Sequence, residues 1–195
     1  MTKPTGLPCR VVFALCGSFC TFGAVMPQIR ELVRSGWQVQ PVLSWTAAAL
    51  DTRFGTAASW REQLTRITGR EPLTTLQQVE PLGPEGLADG MVIAPCTGTT
   101  LAKLAHGLSD TPVTMAAKSL LRRGLPVVVA PSTNDGLGAS APNLAQLLLR
   151  RNYYFVPFGQ DDSIRKPASL KSDMSLIPDT LACAMQGIQL QPLLL

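Results

Sequence analysis

The run Arg10-Val-Val-Phe-Ala-Leu15, closed by Cys16-Gly17-Ser18 and followed at helical spacing by Val25, Ile29, Leu32 and Val33, decides how this chain folds. Six residues that are short, apolar and bounded by glycine suit a strand covered on both faces. Thr21 is placed to cap the helix that follows, and Gly36 to end it. Val39 to Leu43 then reads as a second strand. Strand, loop, helix and strand within so few residues form a βαβ unit, whose crossover is right-handed in ~98% of cases.

Working outward, Ala57 to Thr68 reads as a helix closed by Gly69, and Pro72 to Gly90, broken by Pro81, Gly83, Pro84 and Gly86, as irregular connections. Met91 to Ala94 reads as a strand, Pro95-Cys96-Thr97-Gly98-Thr99-Thr100 as a loop, and Leu101, Leu104, Ala105 and Leu108 as one face of a helix. Val113 to Arg123 is a further helix ending at Gly124, and Pro126 to Pro131 the most strand-like run. The polar loop Ser132 to Gly138, a helix near Asn143 to Arg151 and a last strand around Tyr153 to Val156 complete the pattern. Strands alternating with helices predict an α/β fold: a single Rossmann-like, doubly wound parallel sheet with helices on both faces, one domain over residues 1–195.

Composition narrows the function. The chain has 195 residues, 46% of them apolar, enough for one buried core. Lys and Arg number 17 against 13 Asp and Glu, spread rather than clustered, which argues against nucleic acid and leaves small anions open. The five cysteines, Cys9, Cys16, Cys20, Cys96 and Cys183, are odd in number and fit no zinc spacing, so no metal is expected, and a reducing cytoplasm suits them best. Lys3 and Arg10 before Val11 to Leu15 imitate a short signal peptide, but Gly17 and Ser18 interrupt the apolar run, which reads as a buried strand. No uninterrupted apolar stretch approaches the ~18 residues of a membrane span, so no membrane is expected. The low charged fraction, 15%, and the end Leu193 to Leu195 hint at surface covered by further copies of the chain or other proteins.

Three strand ends offer small and hydroxyl residues: Gly17-Ser18 with Thr21, Ser44 with Thr46, and the loop from Cys96 to Thr100. Unpaired amides at a helix start favour an anion, glycine permits close approach, and hydroxyls add donors; the same residues also serve as ordinary helix caps. Neither a Gly-x-Gly-x-x-Gly after the first strand nor a Walker A sequence is present, which lowers dinucleotides and nucleoside triphosphates. A mononucleotide with one phosphate ester remains.

The segments Ala94-Pro-Cys-Thr-Gly-Thr-Thr-Leu-Ala-Lys-Leu-Ala-His-Gly-Leu-Ser-Asp110, Thr111 to Lys118, Ala130-Pro-Ser-Thr-Asn-Asp-Gly-Leu-Gly138 and Tyr154-Phe-Val-Pro-Phe-Gly-Gln-Asp161 strongly resemble the family of dipicolinate synthase B subunits. That family lies among the flavoproteins that include the homo-oligomeric flavin-containing cysteine decarboxylases. The resemblance implies that Gly17, Ser18, Ser44, Pro95, Cys96, Thr97, Gly98, Thr99 and Thr100 hold flavin mononucleotide (FMN). It implies a trimer-based homo-oligomer, and as partner the A subunit of dipicolinate synthase, with NAD(P) on that partner. Together they would oxidise dihydrodipicolinate to dipicolinate, pyridine-2,6-dicarboxylate, in the mother-cell cytoplasm of a sporulating bacterium. The alternatives are a scaffolding protein without catalysis and an FMN-dependent decarboxylase.

The decarboxylases carry a catalytic histidine after the second strand, whereas His106, the single histidine here, follows the cofactor loop. Their Pro-x-Met-Asn pattern is altered to Pro131-Ser132-Thr133-Asn134, which leaves Asn134 as the catalytic candidate. A dicarboxylate needs positive partners, and Arg165 with Lys166, in a long polar loop from Gly159 to Lys171, are the substrate-binding candidates. That loop reads equally as a lid or as solvated surface.

Overall fold

In the computed structural model, which describes residues 9–195, β1 (Arg10–Leu15) is buried from Val11 onward. A short 3-10 turn, Phe19–Thr21, feeds α1 (Phe22–Arg34), which buries Phe22, Val25, Met26, Ile29 and Leu32. Gly36, at φ 85°, takes the left-handed conformation that turns the chain back. β2 (Gln38–Leu43) then lies parallel to β1, with Arg10 opposite Gln38 and Leu15 opposite Leu43. The predicted βαβ unit is therefore present; Lys3 lies outside the described residues.

Two helices follow, α2 (Trp45–Ala49) and α3 (Ala57–Thr68), the latter closed by Gly69 at φ 69°. Where irregular chain was expected there is one turn of α4 (Leu76–Val79), fixed by reciprocal Thr75 and Gln78 caps, and a 3-10 turn at Glu80–Leu82. Then come β3 (Gly90–Cys96), α5 (Gly98–Ala105), α6 (Pro112–Leu121), β4 (Val127–Thr133), α7 (Ala141–Leu148) and β5 (Tyr153–Phe155). β3 runs two residues beyond the expected strand, so Pro95 and Cys96 belong to the sheet and are buried.

The clearest departure comes next. β5 is not the last strand, and Gly159 to Lys171 is not a loop: β6 (Phe158–Asp162) and β7 (Lys166–Ser172) form an antiparallel hairpin. A 3-10 turn at Met174–Leu176 and α8 (Ile177–Ala184) follow. The seven-stranded sheet runs β2-β1-β3-β4-β7-β6, with β5 also on β4. β4 is shared along its length: Val127 to Val129 pair with β5, and Ser132 and Thr133 pair with Lys171 and Leu170 of β7. The last residues add to the outer edge, where Phe158 donates to the Leu193 carbonyl at 3.0 Å and accepts from the Leu195 amide at 3.1 Å.

β1 shows why helices cover both faces. Val11, Phe13 and Leu15 pack with α1, α3 and α8, whereas Val12 and Ala14 pack with α5, α6 and α7. The fold is thus a Rossmann-like sheet, mostly parallel and flanked by helices, extended by one antiparallel hairpin.

Candidate functional site

β2 lies to one side of β1 and β3 to the other, so the connections after β1 and β3 leave in opposite senses and part at the carboxyl ends of the strands. A cleft of about 840 Å³ opens there. Gly17, Ser18, Cys20 and Thr21 line it after β1, Thr97, Gly98 and Thr99 after β3, and Ser132 to Asp135 at the end of β4. The hairpin closes the remaining side with Asp161, Lys166, Ser169, Leu170 and Lys171.

Hydroxyl contacts fix these walls. The Ser18 hydroxyl donates to the Ser132 carbonyl at 2.7 Å, and Thr21 Oγ1 lies 2.8 Å from Ser132 Oγ. Thr21 therefore ties β1 to β4 and makes no side-chain cap on α1, contrary to expectation. Thr97 caps α5, accepting from the Thr100 amide at 3.3 Å. The first amides of α5 have no intrahelical acceptor, as at any helix start.

Asp135 carries a built-in negative charge. Its carboxylate accepts from the Thr133 hydroxyl and from the Ser140 hydroxyl at 2.9 Å. The Thr133 bond above all, with Ser140 in support and against partial desolvation, holds its carboxyl below the usual carboxylate range. A Cβ on Gly98, the first residue of α5, would stand 2.8 Å from Asp135 Oδ1. The carboxylate thus sits against the positive end of α5.

Of the residues expected to hold a cofactor, the structure brings Gly17, Ser18, Thr97, Gly98 and Thr99 into the cleft. Ser44 is not among its walls; it caps α2, accepting from the Ala47 amide at 3.2 Å. It stays near the site through α2, since a Cβ on Gly17 would meet Thr46 Cγ2 at 3.0 Å. Pro95 and Cys96 are buried in β3, and Thr100 turns its hydroxyl to Cys16 Sγ at 3.3 Å; contrary to expectation, none of the three is among the cleft walls. Burial pushes the Cys16 thiol up to about 11 and the Cys96 thiol well above its ordinary value, so both stay protonated.

Asn134 lines the cleft and is exposed. Lys166 also faces it, but Arg165 does not: it lies in the hairpin turn, where its amide donates to Asp162 at 2.9 Å. His106 is the exposed C-cap of α5, at the opposite end of that helix from Thr97. Cys20, Ser132, Thr133, Asp135, Asp161, Ser169 and Lys171 were not singled out from sequence. The signal for three of them was a fourth hydroxyl-rich strand end, Ser132-Thr133 followed by Asp135, a residue that with Gly136 reads first as a turn former.

An open αβ sheet with a hydroxyl-lined cleft at its switch point is the frame of a nucleotide-type cofactor protein. The chain belongs to the flavoprotein family, whose model matches residues 5–155. It is similar to the dipicolinate synthase B subunit of Bacillus subtilis (strain 168), 46% identical over 185 residues, covering 95% of this chain and 92% of the relative. The crystal structure of the dipicolinate synthase B subunit from Bacillus halodurans superposes with a TM-score of 0.88 at 42% identity, covering 95% of each chain. The FMN-dependent cysteine decarboxylase SpaF follows at a TM-score of 0.66 and 26% identity, covering 90% of this chain and 97% of that one. Among the described residues no helix is long and apolar enough to cross a membrane.

Proposed function

We propose that this chain is the flavin-binding B subunit of a dipicolinate synthase and acts with a nicotinamide-binding A subunit to oxidise dihydrodipicolinate during sporulation. The observation that carries the reading is the cleft at the β1/β3 divide, where Gly17, Ser18, Thr97, Gly98 and Thr99 converge with no dinucleotide fingerprint. Hydroxyls, amides and close-approach glycines suit one phosphate ester and a flat ring, and similarity to an FMN-dependent enzyme supports the same cofactor. Ser44 would add to this set through the α2 start, with Pro95, Cys96 and Thr100 supporting the turn that carries Thr97 to Thr99.

When bound, a flavin supplies the capacity to accept the two electrons that leave a dihydropyridine as it becomes aromatic. The residues of the chain do the rest. Asn134, just after β4, would orient the substrate ring, and Lys166 would offer a cation to a carboxylate; both line the cleft. Asp135 sits against the positive end of α5, so Gly17 and Ser18 would meet most of the phosphate charge, with the Thr97 and Thr99 hydroxyls completing its contacts. NAD(P) is assigned to the partner, and a trimer-based homo-oligomer in the mother-cell cytoplasm completes the reading.

Absorption spectroscopy tests it. The purified chain, or the chain mixed with FMN, should show bound flavin, and riboflavin should bind markedly more weakly. Equal affinity for riboflavin overturns the phosphate assignment. Anaerobic addition of dihydrodipicolinate to the complex of the two proteins should bleach the flavin; a flavin that stays yellow favours a scaffolding role.

A further inference from the structure

The charged groups facing the cleft are unevenly matched. Asp135 is satisfied by two hydroxyls, whereas Asp161 is, among the described residues, the one carboxylate shared by two lysines. Lys166 Nζ lies 2.8 Å from Asp161 Oδ2, within hydrogen-bond distance, but Lys171 Nζ stands 3.8 Å from Oδ1, beyond it. The Lys171 ammonium makes no hydrogen bond to any described residue. Lys166 and Lys171 are five apart and would face opposite ways on a regular strand. The hairpin avoids this: its register shifts between Gln160 and Asp162, so that three residues of β7 stand opposite Asp161 alone, and both ammonium groups reach the same carboxylate.

Lys171 is also the better anchored of the two. It pairs with Ser132 of β4, whose carbonyl and hydroxyl are held by Ser18 and Thr21, whereas Lys166 starts β7 beside the exposed turn. A cation on an anchored backbone, with unspent donors and lining a polar cleft, is suited to recognising an anion.

We infer that Lys171, with Lys166, forms a subsite for one carboxylate of a small dicarboxylate ligand, and that Asp161 stands in for that carboxylate until the ligand arrives. The inference rests on the cleft being the dicarboxylate site proposed above. Ligand entry engages the unspent Lys171 donors and leaves Asp161 with Lys166. Asp161 thereby sets selectivity: it keeps the lysines from trapping any passing anion, and it opposes a ligand that brings a carboxylate too weakly placed to reach Lys171.

The test uses the full chain with FMN added, titrated with pyridine-2,6-dicarboxylate and followed by the flavin absorption band. Lys171→Met should weaken binding roughly tenfold, the effect of one partly exposed charge-assisted hydrogen bond. Asp161→Asn should tighten binding several-fold, because it removes a competing internal carboxylate. An ion-pair cluster that merely holds the hairpin together gives the other pattern, weaker binding in both variants. Loss of binding in Asp161→Asn, or unchanged binding in Lys171→Met, therefore overturns the subsite while the FMN reading stands. If the unmodified chain binds FMN but gives no response to pyridine-2,6-dicarboxylate, the dicarboxylate reading of the cleft falls and the subsite falls with it. Both lysine contacts are exposed pairs, which contribute little to stability, so both variants should fold, and their unchanged far-ultraviolet spectra check this.

Discussion

Replacing Gly98 with Ala places one methyl group at the junction of the cleft walls. The new Cβ would stand 2.5 Å from Ser140 Oγ, 2.8 Å from Asp135 Oδ1 and 2.9 Å from Thr133 Oγ1. Ordinary contact needs about 3.5 Å, so the three oxygens fall short by roughly 0.6 to 1 Å. They belong to one hydrogen-bonded clasp, Thr133 and Ser140 on Asp135, and none can withdraw without stretching a bond to another. Overpacking of this kind costs about 1 to 3 kcal/mol. Alanine returns up to about 1 kcal/mol in a helix interior and less at the first position, which leaves a net loss of about 1 to 2 kcal/mol. For a chain of this length that lowers Tm by roughly 2 to 8 °C. The assay is thermal unfolding of the two proteins side by side, with FMN affinity measured on each. The Thr97 to Thr99 turn must shift with the helix start, so FMN should bind more weakly as well. Gly23→Ala is the control: nothing lies within 4 Å of its Cβ in α1, and it should stabilise by about 0.4 to 1 kcal/mol. A Gly98→Ala protein with unchanged Tm and unchanged FMN affinity refutes the reasoning.

Gly83→Ala should be far more damaging than Gly98→Ala, because its Cβ would fall on the Ser119 main-chain carbonyl, which cannot rotate away; soluble expression equal to the unmodified chain would refute this. The folded state depresses the Asp135 carboxyl, so its stabilisation is fully present above the unfolded value near about 4 and is lost as pH falls through the folded value. Asp135→Asn should therefore be less stable than the unmodified chain at neutral pH, and their denaturation midpoints should converge below about pH 4; a gap that widens in acid contradicts the sign. A maleimide at pH 8 should label exposed Cys20 well before buried Cys16 and Cys96, whose thiols stay protonated, and peptide mapping reads the order. Arg165→Ala should leave pyridine-2,6-dicarboxylate binding unchanged, since Arg165 is exposed in the hairpin turn and is not among the residues that line the cleft; a large loss would return it to the site.

Sequence alone determined the elements whose stabilisation is local. β1, α1 and β2 are written in apolar spacing and in Gly36, and α3 ends where Gly69 can adopt a positive φ that other residues resist. The hydroxyl-rich turns after β1 and β3 were legible for the same reason, because caps and close-approach glycines act within a few residues. Tertiary structure decided the rest. β6 and β7 carry Gln160, Asp161, Asp162, Lys166 and Lys171, with only Phe158, Leu170 and Ser172 buried on the sheet side along with Ser169, so their pattern is too polar to announce a strand. What makes them strands is β7 pairing with the far end of β4, a contact distant in sequence that no local spacing encodes, with β6 then pairing along β7. The same pairing selects the cations: Arg165 and Lys166 look equivalent as neighbours in a chain, but Arg165 lies in the turn and outside the cleft lining, while the register of β7 against Ser132 brings Lys171 in. Thr21 shows the limit at a single residue, since its hydroxyl could serve a helix cap or a distant partner, and only the sheet order that sets β1 beside β3 and β3 beside β4 brought Ser132 Oγ to 2.8 Å.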